Sequence, residues 1–412
     1  MEYKELAQLY YMNASNSRDV DIRKELDARI NSESAFRLGI DTPHGELFFT
    51  IPRELLLLSN HVLQTEHKIF HLLNALPEIA KGAVLRSMVL DEVVCTNEIE
   101  AIQSTRRQIK EVFAVKKRTT SQTERFRELA MLYLSLIDGP NETLIEAADV
   151  RKIYDKVMAG EDLSQNAPDG RIFRKGSVDV VAANMRKIHH GVEPEAKIIE
   201  IIDNMLLLVK DESIPPLYSA LASHYIFEYA HPFYDGNGRT GRYILSFLLS
   251  NILSVPTALS LSRTIVERKE AYYRAFRTAE DPMNHAELTF FIYTMLDFAY
   301  SSQLGVVRRL EESCKVAESV HGAMEQLKKR FELKAKEGEI VSILLQYEKF
   351  GLFGDASVQD VADLLKTGTQ QARRYLSSLE EKGVCRKLDV YNPIMFKLTD
   401  DVLNIASVFL GD

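Results

Sequence analysis

Cysteine is scarce in this chain: Cys95, Cys314 and Cys385 are all that it carries in 412 residues. They form no CxxC pair and leave an odd count, which excludes a disulfide scaffold and points to a reducing cytoplasm. Tryptophan is missing altogether, an absence without functional content. Long apolar runs are missing too. Glu54-Leu-Leu-Leu-Leu-Ser59 and the stretch near Phe247 fall well short of the ~20 residues of a membrane span. Met1-Glu-Tyr-Lys-Glu-Leu6 does not open like a secretory signal. An excess of positive charge is also lacking. The net charge of −8 gives no general electrostatic attraction to nucleic acid or an anionic membrane. No internal repeat or low-complexity tract is present, and the length suffices for two or three domains with a substantial core.

What the chain does have is concentrated in His231-Pro-Phe-Tyr-Asp-Gly-Asn-Gly-Arg-Thr-Gly-Arg242. The stretch lies between two helical patterns. Upstream, Pro215-Pro216 opens a run whose apolar positions (Leu217, Ala220, Leu221, Tyr225, Phe227) fit a helix period, and Pro is tolerated in a first helical turn. Downstream, Tyr243, Ile244, Phe247, Leu248 and Ile252 repeat that period. The segment between them reads as a tight loop feeding a helix N-terminus. Glycines flanking Asn237 let backbone approach a ligand closely. The loop N–H groups, with the helix dipole behind them, make an anion site. Arg239 and Arg242, spaced i and i+3, project from one face and can both grip phosphate oxygens. Asp235 offers a hard oxygen for Mg²⁺, and His231 is the one group here able to act as a neutral base near pH 7. Base, metal ligand, anion cradle and two cations together point to phosphoryl or nucleotidyl transfer.

The motif HPFYDGNGRTGR resembles the signature of the Fic family, whose enzymes transfer AMP from ATP onto hydroxyl side chains of other proteins. The resemblance implies a mainly α fold, a Fic-type helical core with a short β-hairpin flap. It implies that His231 deprotonates the target hydroxyl, that Asp235 holds Mg²⁺, and that Gly236, Asn237 and Gly238 cradle the α- and β-phosphates of ATP. Arg239 would contact the phosphate chain, Arg242 the γ-phosphate, and Gly241 lies within the ATP-binding stretch. Arg171-Ile-Phe-Arg-Lys-Gly-Ser-Val-Asp-Val180 alternates weakly in polarity, as a short hairpin does. It resembles the family's flap, which pairs with an extended target segment through residues such as Arg174, Val178 and Val180. His189-His190 resembles part of the loop after the flap. Adjacent residues point apart and no acidic or Cys partner stands nearby, which sets a metal reading aside. Ser260 to Tyr273 resembles the region closing over adenine. Tyr273 is open to two readings, stacking on the base or plain core packing. Leu288–Phe298 matches the family's closing core helix.

A second feature lies upstream, Thr96-Asn-Glu-Ile-Glu-Ala-Ile102. It resembles the inhibitory helix of Fic proteins, in which a glutamate enters the ATP site and pairs with the second motif arginine. Carried over, Glu100 pairs with Arg242. A guanidinium forked onto a carboxylate cannot also bind the γ-phosphate. The family usually has Gly or Asn after that glutamate, whereas Ala101 stands here. A left-handed helix end is strained at such a residue.

The expected organisation is an N-terminal helical region with the inhibitory helix over 1–110, the catalytic domain over 111–300, connecting helices over 301–336 and a winged-helix-like module over 337–412. Residues 1 to about 60 read as an irregular lead-in with strand-like pairs such as Phe48-Phe49. In the last module, Ser357 opens a short helix, Thr367-Gly368-Thr369 makes a turn, and Gln370 to Gly383 continues as a second helix. Val384 to Lys397 then reads as a hairpin centred on Tyr391-Asn392-Pro393. This order resembles a winged helix-turn-helix. Gln370, Gln371, Arg373 and Arg374 occupy the recognition-helix position. Yet Glu337 to Asp412 holds 8 Lys and Arg against 12 Asp and Glu, a poor balance for duplex DNA. A packing or partner-docking role is as well supported.

Three functions remain in view. The first is a protein adenylyltransferase checked by Glu100, taking ATP with Mg²⁺ and a protein bearing an exposed Tyr, Thr or Ser. The second is a hydrolase removing AMP at the same site, with Glu100 orienting water. The third is a DNA-binding regulator acting through the last module. Transfer of the γ-phosphate is disfavoured, because the family's kinase-like branch lacks the glycines and second arginine that Gly236, Gly238 and Arg242 supply. A homodimer is admitted as an assembly, though no residue pattern selects it, and no membrane partner is expected.

Overall fold

The computed structural model describes residues 2–114, 121–139, 144–181, 187–351, 354–388 and 394–410. They fall into two compact units, one of Met1–His67 with Met88–Gly305, the other of Lys68–Ser87 with Val306–Asp412. The first 60 residues are not irregular. They form α1 (Leu6–Met12), α2 (Arg18–Ile30) and an antiparallel hairpin of β1 (Ala35–Thr42) and β2 (Gly45–Thr50). Local sequence hides this because α2 is mostly charged and buries only Ile22 and Arg29. Its stability comes from tertiary contacts. Arg29 pairs with buried Glu287 at 2.8 Å and donates to Lys4 O at 2.8 Å. Glu287 also accepts from the Tyr3 hydroxyl at 2.6 Å, and Asn284 Oδ1 accepts from Ala7 N at 2.9 Å.

The catalytic-type core follows: α3 (Arg53–Ala75), α4 (Glu78–Ile99), α5 (Arg106–Ala114), α6 (Ser121–Asp138), α7 (Ala147–Val157), β3 (Asp179–Val181), β4 (Lys187–His190), α8 (Glu195–Lys210), α9 (Pro216–Ala230), α10 (Asn237–Ile252), α11 (Val255–Ala258), α12 (Leu261–Glu267) and α13 (Lys269–Glu280). Helix α9 is apolar on every face and buried almost end to end, as a central helix must be. It packs between α8 and α10, so the loop joining α9 to α10 is held from both sides.

The hairpin lies later than the sequence pattern suggests. Only β3 pairs with β4, with Asp179 opposite His190 and Val180 opposite His189, so the two histidines are strand residues rather than loop. The segment before it is committed elsewhere. The Glu195 carboxylate accepts from the N–H groups of Arg171 (3.0 Å), Ile172 (2.7 Å) and Phe173 (3.0 Å), and Arg174 N–H donates to Pro232 O at 3.1 Å. Those donors are unavailable to a strand partner.

The expected closing helix and connecting region are one continuous helix, α14 (Thr289–Arg330). It contains no proline to end it. Isolated Gly305 and Gly322 cost only about 1 kcal/mol each in a helix.

The second unit contains α15 (Ala335–Phe350), β5 (Ala356–Ser357), α16 (Val358–Leu364), α17 (Thr369–Glu381), β6 (Cys385–Leu388), β7 (Met395–Leu398) and α18 (Asp400–Leu410). Its small antiparallel sheet has the order β5-β7-β6. Ser357 caps α16 through a reciprocal box with Asp360. Leu344, Val361, Leu376 and Leu398 lie in one apolar core, and buried Glu337 accepts from Ser378 Oγ (2.9 Å) and Lys382 Nζ (2.7 Å). Gln370, Arg373 and Arg374 are exposed on α17, with Gln371 half-buried. The hairpin centre at Tyr391-Asn392-Pro393 lies outside the described residues.

Removing one partner of a buried ion pair leaves an uncompensated charge. Arg29→Met strands Glu287, whose side chain is 0% exposed. The expected loss is about 3–5 kcal/mol, read as a lowered denaturant midpoint. An unchanged midpoint would refute the role given to this pair.

Candidate active site

His231 is the C-cap of α9 and takes a left-handed backbone conformation, φ 47° and ψ 60°. That bend carries its ring off the helix axis. Nδ1 lies 3.4 Å from Glu228 O. A carbonyl only accepts, so Nδ1 carries the proton and Nε2 keeps its lone pair. Burial, the nearby His189 and the Arg174 charge together lower the His231 pKa to about 4, against opposing effects of the Glu228 carbonyl and Glu100. The imidazole is therefore neutral across the physiological range.

The glycine loop turns at Gly236, φ 80°, a conformation that favours glycine. Asn237 clamps the turn with its side chain. Its Oδ1 accepts from Phe233 N at 3.0 Å and its Nδ2 donates to Phe233 O at 2.7 Å. Asp235 is exposed, with Oδ1 accepting from Gly236 N at 2.6 Å. The two arginines differ in their surroundings. Arg239 is buried, paired with Glu161 at 2.6 Å, and its Nη2 lies 3.1 Å from Met158 Sδ. Arg242 is also buried and donates Nε to Thr96 Oγ1 (2.8 Å) and Nη2 to Thr96 O (3.0 Å) and Glu100 Oε1 (2.7 Å). Gly241 faces α9: a Cβ there would stand 2.4 Å from Glu228 Oε1 and 2.8 Å from Phe227 Cδ1. The missing side chain lets α10 pack closely on α9 there.

Glu100 lies just past the end of α4. A Cβ on Gly238 would stand 2.1 Å from Glu100 Oε1, so the carboxylate lies directly over the glycine turn. The carboxylate thus packs against Gly238 while it pairs with Arg242. Burial alone would raise the Glu100 carboxyl; the Arg242 charge and hydrogen bond outweigh this and hold it below its ordinary value. Reciprocally, Glu100 outweighs desolvation and raises Arg242. Glu100 remains one-third exposed.

The helix ends in a Schellman pattern, with Ile102 N–H on Asn97 O (2.9 Å) and Ala101 N–H on Glu98 O (3.0 Å). Ala101 takes φ 57°, the strained conformation that the missing Gly or Asn would have relieved. Lys269 Nζ caps the helix at Ile99 O, 2.6 Å away. Two turns earlier, buried Glu92 ties α4 to α12, accepting from Ser262 Oγ (2.5 Å) and N (3.3 Å). Burial raises its pKa to about 7, despite Ser262 and Arg242. A further buried acid, Glu228, is raised to about 8 by burial against the pull of Arg242.

The remaining expected residues divide. Tyr273 is half-buried, with its pKa pushed to about 12 by burial and by Glu100, which places the ring near the cradle and leaves both readings of it standing. Val178 is half-buried and its carbonyl accepts from Gly191 N at 3.0 Å. Val180 pairs through its backbone with His189. Arg174 does not lie on a docking edge; it is 0% exposed, and its donors face backbone carbonyls. The histidines of β4 do have acidic neighbours, supplied by other segments: His189 Nδ1 is 3.1 Å from Glu280 and His190 Nδ1 is 2.5 Å from Asp179.

Sequence reasoning missed Thr96, Glu161, Glu228 and Lys269. Thr96 was within reach, since it precedes Glu100 by one helical turn on the same face. The others join the site only through tertiary packing.

A profile of the Fic/DOC family matches residues 144–249, the stretch holding the loop, β3, β4 and α8 to α10. Over residues 144–249 the chain is thus similar to Fic domains. Over 207 residues the chain is 26% identical to a probable protein adenylyltransferase of Aquifex aeolicus, spanning 50% of this chain and 59% of that relative's length. A crystal structure of a Fic family protein from Desulfovibrio desulfuricans shares the fold at 18% identity, with a TM-score of 0.51 over 85% of this chain and 98% of that one. A Fic-domain signalling protein from Bacteroides thetaiotaomicron matches 63% of this chain and 97% of its own at 18% identity, with a TM-score of 0.44. No candidate membrane span occurs among the described residues.

The lowered His231 pKa has a definite sign. The folded state binds fewer protons than the unfolded one between about 4 and the ordinary histidine value. The resulting stabilisation is complete above that range and is lost as pH falls towards 4. Histidine ring NMR should show His231 titrating near 4; a midpoint near 6.5 would contradict the half-buried neutral ring. Ala101→Gly removes a left-handed alanine and should stabilise the first unit by about 1 kcal/mol, measured by denaturant unfolding. A destabilised variant would contradict the strain.

Proposed function

We propose that this chain transfers AMP from ATP to a hydroxyl side chain of another protein, releasing pyrophosphate, and that Glu100 holds the reaction in check. The observation that carries the reading is the Glu100 carboxylate lying over Gly238 on Arg242, within electrostatic reach of His231. A cation holding an anionic group and a neutral base therefore lie within electrostatic reach of each other. The name of the Aquifex relative, a probable protein adenylyltransferase, supports the same reaction class.

In this reading His231 Nε2 takes the proton of a Ser, Thr or Tyr hydroxyl as its oxygen attacks the α-phosphorus. The new P–O bond forms as the bond to the pyrophosphate oxygen breaks. Loop N–H groups and Arg242 take up the charge of the leaving phosphates, a contribution of positioning and preorganised electrostatics. The exposed Asp235 carboxylate would hold Mg²⁺, which when bound supplies charge neutralisation on the phosphates. The residue type suits that ion, Asp235 offering one exposed hard oxygen. Glu100 opposes the reaction because Arg242 Nη2 cannot serve carboxylate and γ-phosphate together. Inhibition of this kind acts within one polypeptide.

The test uses Glu100→Gly with Mg²⁺, ATP labelled at either the α or the γ phosphorus, and cell lysate. Expected is α-label on protein, increased about 10–100-fold over the parent, as loss of a charged hydrogen bond implies. His231→Ala in that background should lower it by at least about 100-fold. Label arriving from the γ position would overturn the reading. So would a Glu100→Gly protein that gains no transfer and instead loses removal of AMP from a modified protein, which assigns Glu100 to hydrolysis.

A further inference from the structure

Buried arginines ordinarily face carboxylates, because an unpaired buried charge is costly. Arg174 does not. It is 0% exposed, has no ion pair among the described residues, and spends its donors on backbone carbonyls. Nε donates to His231 O at 2.8 Å, Nη1 to Gly176 O at 2.6 Å, and Nη2 to Val192 O at 2.9 Å and Ala230 O at 3.4 Å. Its own N–H donates to Pro232 O at 3.1 Å. One residue thus holds three consecutive carbonyls, those of Ala230, His231 and Pro232.

These carbonyls flank the left-handed His231, a conformation that costs roughly 1–2 kcal/mol in a residue with a Cβ. They also lie at the C-terminal end of α9, where carbonyls lack helical partners and favour a cation. Gly176 and Val192 are the two stems of the β3–β4 hairpin, so the same guanidinium fixes the hairpin to the catalytic turn. Gly191 makes the room: a Cβ there would stand 2.3 Å from Arg174 Nη2 and 3.1 Å from His231 Cβ.

We infer that Arg174 is a positioning residue for His231, locking the bend that aims the imidazole and setting its distance from the hairpin. The inference rests on the proposed role of His231 as base. Arg174 also acts through charge. The groups acting on the His231 ring are Arg174 and His189, which disfavour protonation, and Glu100 and the Glu228 carbonyl, which favour it. Arg174 helps keep the base in its neutral form.

The test compares Arg174→Met and Arg174→Lys in the Glu100→Gly background, reading α-label incorporation into lysate protein across ATP concentration and pH. In Arg174→Met the saturated rate should fall about 100-fold, the loss expected of a base misplaced by about 1 Å. The half-saturating ATP concentration should stay within about 2-fold of the parent, and the acid limb of the rate should move to higher pH. Arg174→Lys keeps the charge but not the fork, so it should retain the acid limb and recover only part of the rate. A folded Arg174→Met protein whose rate stays within about 3-fold of the parent overturns the inference. So does a loss of ATP affinity matching the loss of rate.

If Arg174→Met does not fold, Arg174→Lys decides. A rate down at least about 10-fold with ATP affinity kept supports the role, and an undiminished rate rejects it. If the Glu100→Gly parent transfers no AMP, the proposed function has failed, and histidine NMR then judges Arg174 separately. His231 should titrate higher in Arg174→Met, or in the equally uncharged Arg174→Gln if the methionine variant does not fold, and an unshifted midpoint rejects the role.

Discussion

A guanidinium cannot shed its charge by losing a proton, and Arg242 is buried in the first turns of α10. Its positive charge must therefore be answered by an anion brought to it, and much of the surrounding structure follows from that demand. Thr96 takes two of its donors and Glu100 the third contact. This ties the end of α4 to the start of α10. The carboxylate that answers this charge lies against the glycine turn at Gly238 and belongs to the same chain. On the proposed function, a phosphate would have to compete with it for a single cation.

Two helices that border the site end by the same local device. Helix α9 ends in a left-handed His231 and α4 in a left-handed Ala101, and neither is the glycine that such an ending favours. Strain of this kind persists only where neighbouring contacts over-determine it. At His231 those contacts are the carbonyl bonds from Arg174; at Ala101 they are the two Schellman bonds and the Lys269 cap on Ile99. The first holds the imidazole beside the cradle and the second holds the carboxylate over it.

The loop from His231 to Arg242 was legible in sequence because its chemistry is local: glycines, the base, the acid and both arginines are near neighbours in the chain. Glu100 was legible as well, through the pattern around it. Long-range partners were not. Arg239 was read as a phosphate contact, yet its bond to Glu161 depends on how the end of α7 meets α10. Arg174 was placed on a docking edge because weak polarity alternation imitates a strand, whereas Glu195 and Pro232 take the backbone groups of that segment. The ordered N-terminal helices escaped notice for the same reason, since α2 is held by Glu287 from far along the chain rather than by an apolar stripe.

The tie between Glu92 and Ser262 gives α4 a fastening two turns short of its tip. With the shaft secured there, freeing Arg242 does not require the helix to lift from the core. Unwinding the final turn would part Glu100 from Arg242, and that turn is already burdened by an alanine in an unfavourable backbone state. The element that carries Glu100 thereby has an anchored stem and a short, strained tip, so that on the proposed inhibition its release would move only a few residues.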